Sequence, residues 1–196
     1  MATTLVLGAA RNGKSDYAEA LLAHHPVVTY VATGPKLHDA PDQAWADQVL
    51  ELRAKRPASW ETVETTALSR ALLLSRRPVL IDTLSHWVWR TLDEHDQWRS
   101  ATRAIETLEP ILDELLVVYR SLSHDVVAIS DEVGWGREPT NAREGTYREV
   151  LAHVNNRFSA VSQRVHLLVG GRVLDLSNAP SPLSASRSGE VSSQTR

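Results

Sequence analysis

Four stretches of the chain are continuously apolar and rich in β-branched residues: Thr4–Leu7, Val27–Ala32, Pro78–Ile81 and Asp125–Ile129. Unbroken hydrophobicity, rather than alternation, predicts strands covered on both faces. Between them apolar positions recur at helical spacing, which predicts helices over Ser15–Ala23, Ala44–Lys55, Leu68–Leu74, Leu84–Leu92 and Arg99–Ser121. Strand and helix alternate, so the expected fold class is α/β, a mostly parallel sheet with helices on both faces. Near the end, His166–Val169 and Arg172–Leu176 flank Gly170-Gly171, the signal of a hairpin and an antiparallel edge. From Ser177 to Arg196 the chain is polar and rich in Ser and Pro. That composition predicts a disordered tail, following a single domain over residues 1–176.

Composition narrows the functional classes. The 196 residues carry a formal net charge of −3, without the basic excess expected of a nucleic-acid binder. Cysteine is absent, which excludes disulfides, thiolate nucleophiles and Cys-based zinc sites. No apolar run approaches the roughly 20 residues of a membrane span, and no export signal precedes the first strand. A cytoplasmic protein is therefore expected.

Chemistry enters with Gly8-Ala9-Ala10-Arg11-Asn12-Gly13-Lys14-Ser15, between the first predicted strand and helix. This is the G-x-x-x-x-G-K-[ST] spacing of a phosphate-binding P-loop. Glycines let backbone N–H groups turn onto phosphate oxygens, Lys14 reaches the outer phosphates, and the Ser15 hydroxyl is positioned for Mg²⁺. A second Mg²⁺ ligand is expected from an acidic residue closing a strand, and Asp82, after Pro78–Ile81, is the candidate. The alternative role for Asp82 is capping the helix that follows it. The loop Ser130-Asp131-Glu132-Val133-Gly134-Trp135-Gly136 also follows a buried strand, and it reads equally well as a ligand loop or a solvated turn. The eight histidines show no metal-ligand spacing, so no metal beyond Mg²⁺ is expected. His24 and His25 are adjacent, while His38, His86 and His153 are read as surface or structural residues.

Several further segments are more specific than the P-loop. They are Tyr30-Val31-Ala32-Thr33-Gly34, the run Arg53-Ala54-Lys55-Arg56-Pro57-Ala58-Ser59-Trp60-Glu61-Thr62-Val63-Glu64, the block Asp82-Thr83-Leu84-Ser85-His86-Trp87, the loop at 130–136 and Leu168-Val169-Gly170-Gly171-Arg172. Together with Gly8–Ser15 they resemble, in order, the adenosylcobinamide kinase/adenosylcobinamide-phosphate guanylyltransferase family. The resemblance implies a RecA-like P-loop fold and a homo-oligomer. It also implies a corrinoid substrate, adenosylcobinamide, whose aminopropanol hydroxyl is phosphorylated by ATP or GTP before GMP is transferred to the new phosphate. It extends the nucleotide-binding set to Ala32, Thr33, Gly34, Arg53, Ala54, Lys55, Arg56 and Glu64, beside the loop residues and Asp82.

The chain departs from that family at one chemically decisive position. A histidine just ahead of the Arg53–Pro57 segment carries GMP in the family, and Leu52 stands there. Leucine has no lone pair with which to attack phosphorus. His38, upstream, is the nearest histidine in sequence. Arg90 replaces an amide side chain and Gly145 a basic one. The expectation is a kinase without guanylyl transfer; the alternatives are a nucleotide-binding regulatory or scaffold subunit and a kinase of another small alcohol.

Overall fold

The computed structural model describes residues 2–35 and 43–182. Its elements, in chain order, are β1 (Thr3–Gly8), α1 (Lys14–Leu22), β2 (Thr29–Ala32), α2 (Gln43–Lys55), β3 (Glu61–Glu64), α3 (Leu68–Leu74) and β4 (Val79–Asp82). They continue with α4 (Leu84–Glu94), α5 (Ala101–Ser121), β5 (Val126–Asp131), α6 (Ala142–Val161), β6 (Arg164–Val169) and β7 (Arg172–Asp175). The strands form one seven-stranded sheet in the order β3-β2-β4-β5-β1-β6-β7. Every pairing is parallel except β6 with β7. This is the mostly parallel sheet, with helices on both faces and a terminal antiparallel hairpin, that the hydrophobic pattern predicted. Gly170 and Gly171 both adopt positive φ, 58° and 71°, which the tight turn between β6 and β7 requires.

Successive side chains of a strand point to opposite faces, and the core divides accordingly. On one face Leu5, Leu7, Val31, Val79, Ile81, Val126 and Ala128 pack under α3, α4, α5 and α6. On the other, Val6, Tyr30, Leu80, Val127 and Ile129 meet Ala18 and Leu22 of α1, together with Trp60. Strands buried on both sides need apolar residues in both registers, which is why they read as continuous runs.

Two elements escaped the sequence pattern. β3 is a short edge strand, Glu61-Thr62-Val63-Glu64, paired only with β2 and largely solvated, so nothing requires it to be apolar. α6 is long, but its inner face includes Thr146 and Asn155 among Val150, Leu151, Val154 and Phe158, which dilutes the apolar stripe. Those polar residues have partners: the Thr146 hydroxyl donates to the Trp98 carbonyl at 3.1 Å, and Asn155 bonds the end of β5. The first residues of the expected tail, 177–182, are described, and some of them are hydrogen-bonded. The Ser177 hydroxyl accepts from the Val165 amide at 3.1 Å, and the Ala179 amide donates to the Leu176 carbonyl at 3.0 Å. The remainder of the predicted tail, 183–196, lies outside the described residues.

Trp87 is the largest fully buried side chain of the main core, and its indole Nε1 donates to the Thr66 carbonyl at 3.0 Å, tying α4 to the start of α3. Trp89 is packed within the chain, its ring 4.6 Å from Trp98 and 5.4 Å from Tyr147, with the Arg143 guanidinium over both indoles. Replacing Trp87 with Ala removes both packing and a hydrogen bond, and the expected loss is about 3–5 kcal/mol of unfolding free energy, read as a lower midpoint in urea denaturation.

Candidate functional site

Parallel register brings the chemistry to one edge. Gly8, the last residue of β1, pairs with Asp131 of β5 and with Leu168 of β6. Three strands away from β1, Ala32 of β2 pairs with Glu64 of β3 on one side and with Asp82 of β4 on the other. All these positions lie at the carboxyl ends of their strands, where parallel sheets of this kind bind ligands.

The predicted P-loop folds as a strand, a loop and a helix. Gly13 has φ 87° and caps the start of α1, and Arg11 also takes a positive φ of 56°. Asn12 staples the loop to the sheet: its Nδ2 donates to the Leu168 carbonyl at 2.9 Å. Asn12 Oδ1 is buried without a hydrogen-bond partner. Ala9, Ala10 and Arg11 are exposed at the lip, whereas Ser15 is half-buried at the foot of α1.

Lys14 is only 7% exposed. Its ammonium donates to the Ala9 carbonyl at 2.6 Å and pairs with Asp131 Oδ1 at 2.9 Å. The strand adjoining β1 is β5 rather than β4, so Asp131, and not Asp82, is the carboxylate against the lysine. Asp131 is itself held by two helices. Its amide donates to the Ser85 hydroxyl of α4 at 2.8 Å, and its carbonyl accepts from Asn155 Nδ2 of α6 at 3.0 Å. The Ser130 hydroxyl completes the arrangement by donating to Asn155 Oδ1 at 2.6 Å. The sequence places Asp131 in a loop that reads equally as a ligand loop or a solvated turn; its pairing with Lys14 is a matter of strand order.

Asp82 belongs to a second group. A cavity of about 120 Å³ is lined by Tyr30, Ala32, Gly34, Arg53, Arg56, Glu64, Asp82 and His86, among others. The Tyr30 hydroxyl donates to Asp82 Oδ2, and Arg53 pairs with Glu64. The Arg56 guanidinium lies 3.3 Å from the centre of the Tyr30 ring and 3.5 Å from Glu19 Oε1. Burial, with the Asp82 carboxylate next in weight, pushes the Tyr30 hydroxyl well above the ordinary phenol range, so it stays a donor. Burial also raises the Glu19 carboxyl, against the pull of Arg56. Ala32, Gly34, Arg53, Arg56, Glu64 and Asp82, named separately from the sequence, thus converge on one wall.

The other predicted residues are placed differently. Thr33 is fully buried and spends its hydroxyl on the β4–α4 turn, donating to the Thr83 carbonyl at 2.6 Å and accepting from the Thr83 amide at 2.9 Å. It shapes the turn instead of facing a ligand. Ala54 is exposed on α2, and the same helix carries Leu52 and Lys55. His38 lies outside the described residues. His86, expected as a surface or structural residue, lines the cavity, having been placed there by an α4 whose first turn is capped by Thr83. Arg90 donates to the Gly34 carbonyl at 3.2 Å, fixing the far end of the β2 loop.

The comparisons bear directly on this geometry. The family model described as cobinamide kinase / cobinamide phosphate guanyltransferase matches residues 4–176. The chain belongs to this family. A bifunctional adenosylcobalamin biosynthesis protein CobU of Salmonella typhimurium is 30% identical over 177 residues, covering 85% of this chain and 95% of that protein. The CobU of Escherichia coli is 28% identical with the same coverage. A protein described as bifunctional adenosylcobalamin biosynthesis protein CobP, from Pseudomonas aeruginosa, is 30% identical over 181 residues, covering 90% of this chain and 98% of its own length. The match spans the P-loop, the cavity wall and the hairpin alike. Among the described residues, no helix is long and apolar enough to cross a membrane.

Gly8 tests the loop most directly. A Cβ there would lie 2.2 Å from Asn12 Nδ2 and 2.9 Å from the Leu168 carbonyl oxygen, so the Asn12 staple must give way. Gly8→Ala is expected to weaken binding of a fluorescent ATP or GTP analogue by about tenfold or more, while overpacking costs about 1–3 kcal/mol of stability, measured by denaturant titration.

Proposed function

We propose that this protein phosphorylates the aminopropanol hydroxyl of adenosylcobinamide with ATP or GTP, and that it has lost the guanylyl transfer that follows in the family. The observation that carries the kinase reading is the buried Lys14, held at the mouth of a strand–loop–helix P-loop. Phosphoryl transfer asks for positioning and charge neutralisation more than for covalent chemistry by the protein. Phosphate oxygens entering the loop displace Asp131 as the partner of the Lys14 ammonium, and they meet the N–H groups at the start of α1. The substrate hydroxyl oxygen attacks the γ-phosphorus, the bond from that phosphorus to the β–γ bridging oxygen breaks, the nucleoside diphosphate leaves, and the hydroxyl proton passes to solvent. Lys14 neutralises charge on the departing phosphates.

Ser15 and Asp82, a hydroxyl and a carboxylate that are both half-buried at the same sheet edge, are oxygen donors of the kind Mg²⁺ takes. Bound there, Mg²⁺ would offset phosphate charge during transfer. Tyr30 orients the Asp82 carboxylate for that role by donating a hydrogen bond to Oδ2.

Loss of GMP transfer follows from Leu52, which offers no nucleophile. The Arg53, Arg56 and Glu64 wall persists without it, as a place for phosphate and nucleoside groups. A homo-oligomer is part of the proposal: Val169, Val173 and Leu174 of the terminal hairpin are each 44–51% exposed, an apolar edge suited to a second copy. The cytoplasm, where nucleoside triphosphates are available, is the proposed location.

Three measurements test this. Wild-type protein with Mg·ATP or Mg·GTP and adenosylcobinamide is expected to form the phosphorylated corrinoid, and Lys14→Ala to reduce the rate by about a hundredfold or more; no product from the wild type sinks the kinase reading. Incubation with α-labelled GTP is expected to leave the protein unlabelled. An acid-labile GMP adduct would overturn the claim about Leu52, and His86 is the cavity residue to which it should then be mapped. Leu52→His is expected to restore labelling.

A further inference from the structure

At the opposite end of the sheet from the P-loop, three side chains distant in sequence converge. His24 and His25 follow the last turn of α1, and Asp125 immediately precedes β5. One ligand atom from each lies within 4.8 Å of the others. His25 Nε2 is 3.0 Å from Asp125 Oδ2, and His24 Nε2 is 3.9 Å from the same oxygen. The two imidazole rings lie 3.9 Å apart, centre to centre.

These spacings have a chemical meaning. With metal–ligand bonds of about 2.0–2.1 Å, neighbouring donors of a tetrahedral zinc site stand about 3.3 Å apart. The two Nε2–Oδ2 separations bracket that value. The donor set, two imidazoles and a carboxylate, is the borderline set preferred by Zn²⁺ and its neighbours rather than by Mg²⁺. Six residues of β5, at about 3.3 Å each, put the cluster roughly 20 Å from Asp131, so it is separate from the phosphate site.

The cluster is also pre-organised. Asp125 Oδ1 accepts from the Ala2 amide at 2.6 Å, which fixes the carboxylate plane and leaves Oδ2 directed at the histidines. The His25 amide donates to the Leu22 carbonyl at 2.9 Å, which fixes the backbone from which both imidazoles project. His24 is 66% exposed, which leaves a solvent-facing side for a fourth ligand, a water.

We propose that His24, His25 and Asp125 form a transition-metal site, with Zn²⁺ its preferred occupant, that ties the end of α1 to the start of β5. The inference does not rest on the kinase reading. An ion here joins the loop entering β2 to the central strand of the sheet, and stabilises the folded chain by binding it and not the unfolded one.

The test uses the untagged full chain titrated with Zn²⁺ against a chromophoric zinc indicator. One ion per chain is expected to bind, with His24→Asn and His25→Asn each weakening binding by about tenfold or more. At a fixed Zn²⁺ concentration the ion is expected to raise the Tm of the wild type more than that of the His24→Asn variant. His24 is an exposed side chain, so that variant retains the fold, as its circular dichroism spectrum will show. Absence of saturable Zn²⁺ binding, unchanged affinity in His24→Asn, or loss of binding in Asp82→Asn with retention in both histidine variants would each overturn the proposal.

Discussion

The geometry of the nucleotide edge depends on a buried charge and its partner. An ammonium as enclosed as that of Lys14 is costly unless it is paired and hydrogen-bonded, and Asp131 and the Ala9 carbonyl supply both needs. Holding Asp131 in place requires β5 beside β1, Ser85 from α4 at its amide and Asn155 from α6 at its carbonyl. The loop, two strands and two helices therefore meet at a single residue, Asp131, through its carboxylate, amide and carbonyl. The same pairing is the one that a triphosphate must compete with. A loop that keeps its lysine paired in this way is shaped for phosphate before the ligand arrives, which reduces the reorganisation that binding demands.

A neighbouring constraint builds the second wall. Because β2 lies between β3 and β4 in matching register, Glu64 and Asp82 flank Ala32, and the arginines of the α2 segment fold over them. Tyr30 is the hinge of this wall, with its hydroxyl on Asp82 and its ring under Arg56. The histidine that the family resemblance implies just ahead of Arg53 would stand on α2, where the chain has Leu52. The wall keeps the Arg53–Glu64 pair and the stacked Arg56.

The two ends of the sheet carry different chemistry for the same reason. At the carboxyl ends, backbone N–H groups and a lysine face outward from β1 and α1, a setting for anions. At the amino ends, the exit of α1 and the entry to β5 place imidazoles against a carboxylate, a setting for a cation. One helix, α1, connects the two.

What the sequence determined by itself is whatever depends on local pattern. The both-faces-buried strands, the P-loop octad and the Gly170-Gly171 turn were legible because each is dictated by burial or backbone conformation over a few residues. β3 and α6 were not, since an edge strand needs no apolar run and α6 spends Thr146 and Asn155 on distant polar partners. Of the site, the residues were legible and their grouping was not. Asp82 is the evident strand-end carboxylate, yet strand order gives Lys14 to Asp131 and places Asp82 with Tyr30. His86 enters the cavity wall, and Asp125 comes to His24 and His25 across 100 residues, only when the sheet is assembled. Short-range pattern sets which groups are available; the order and register of parallel strands, joined through long crossovers, decide which of them meet.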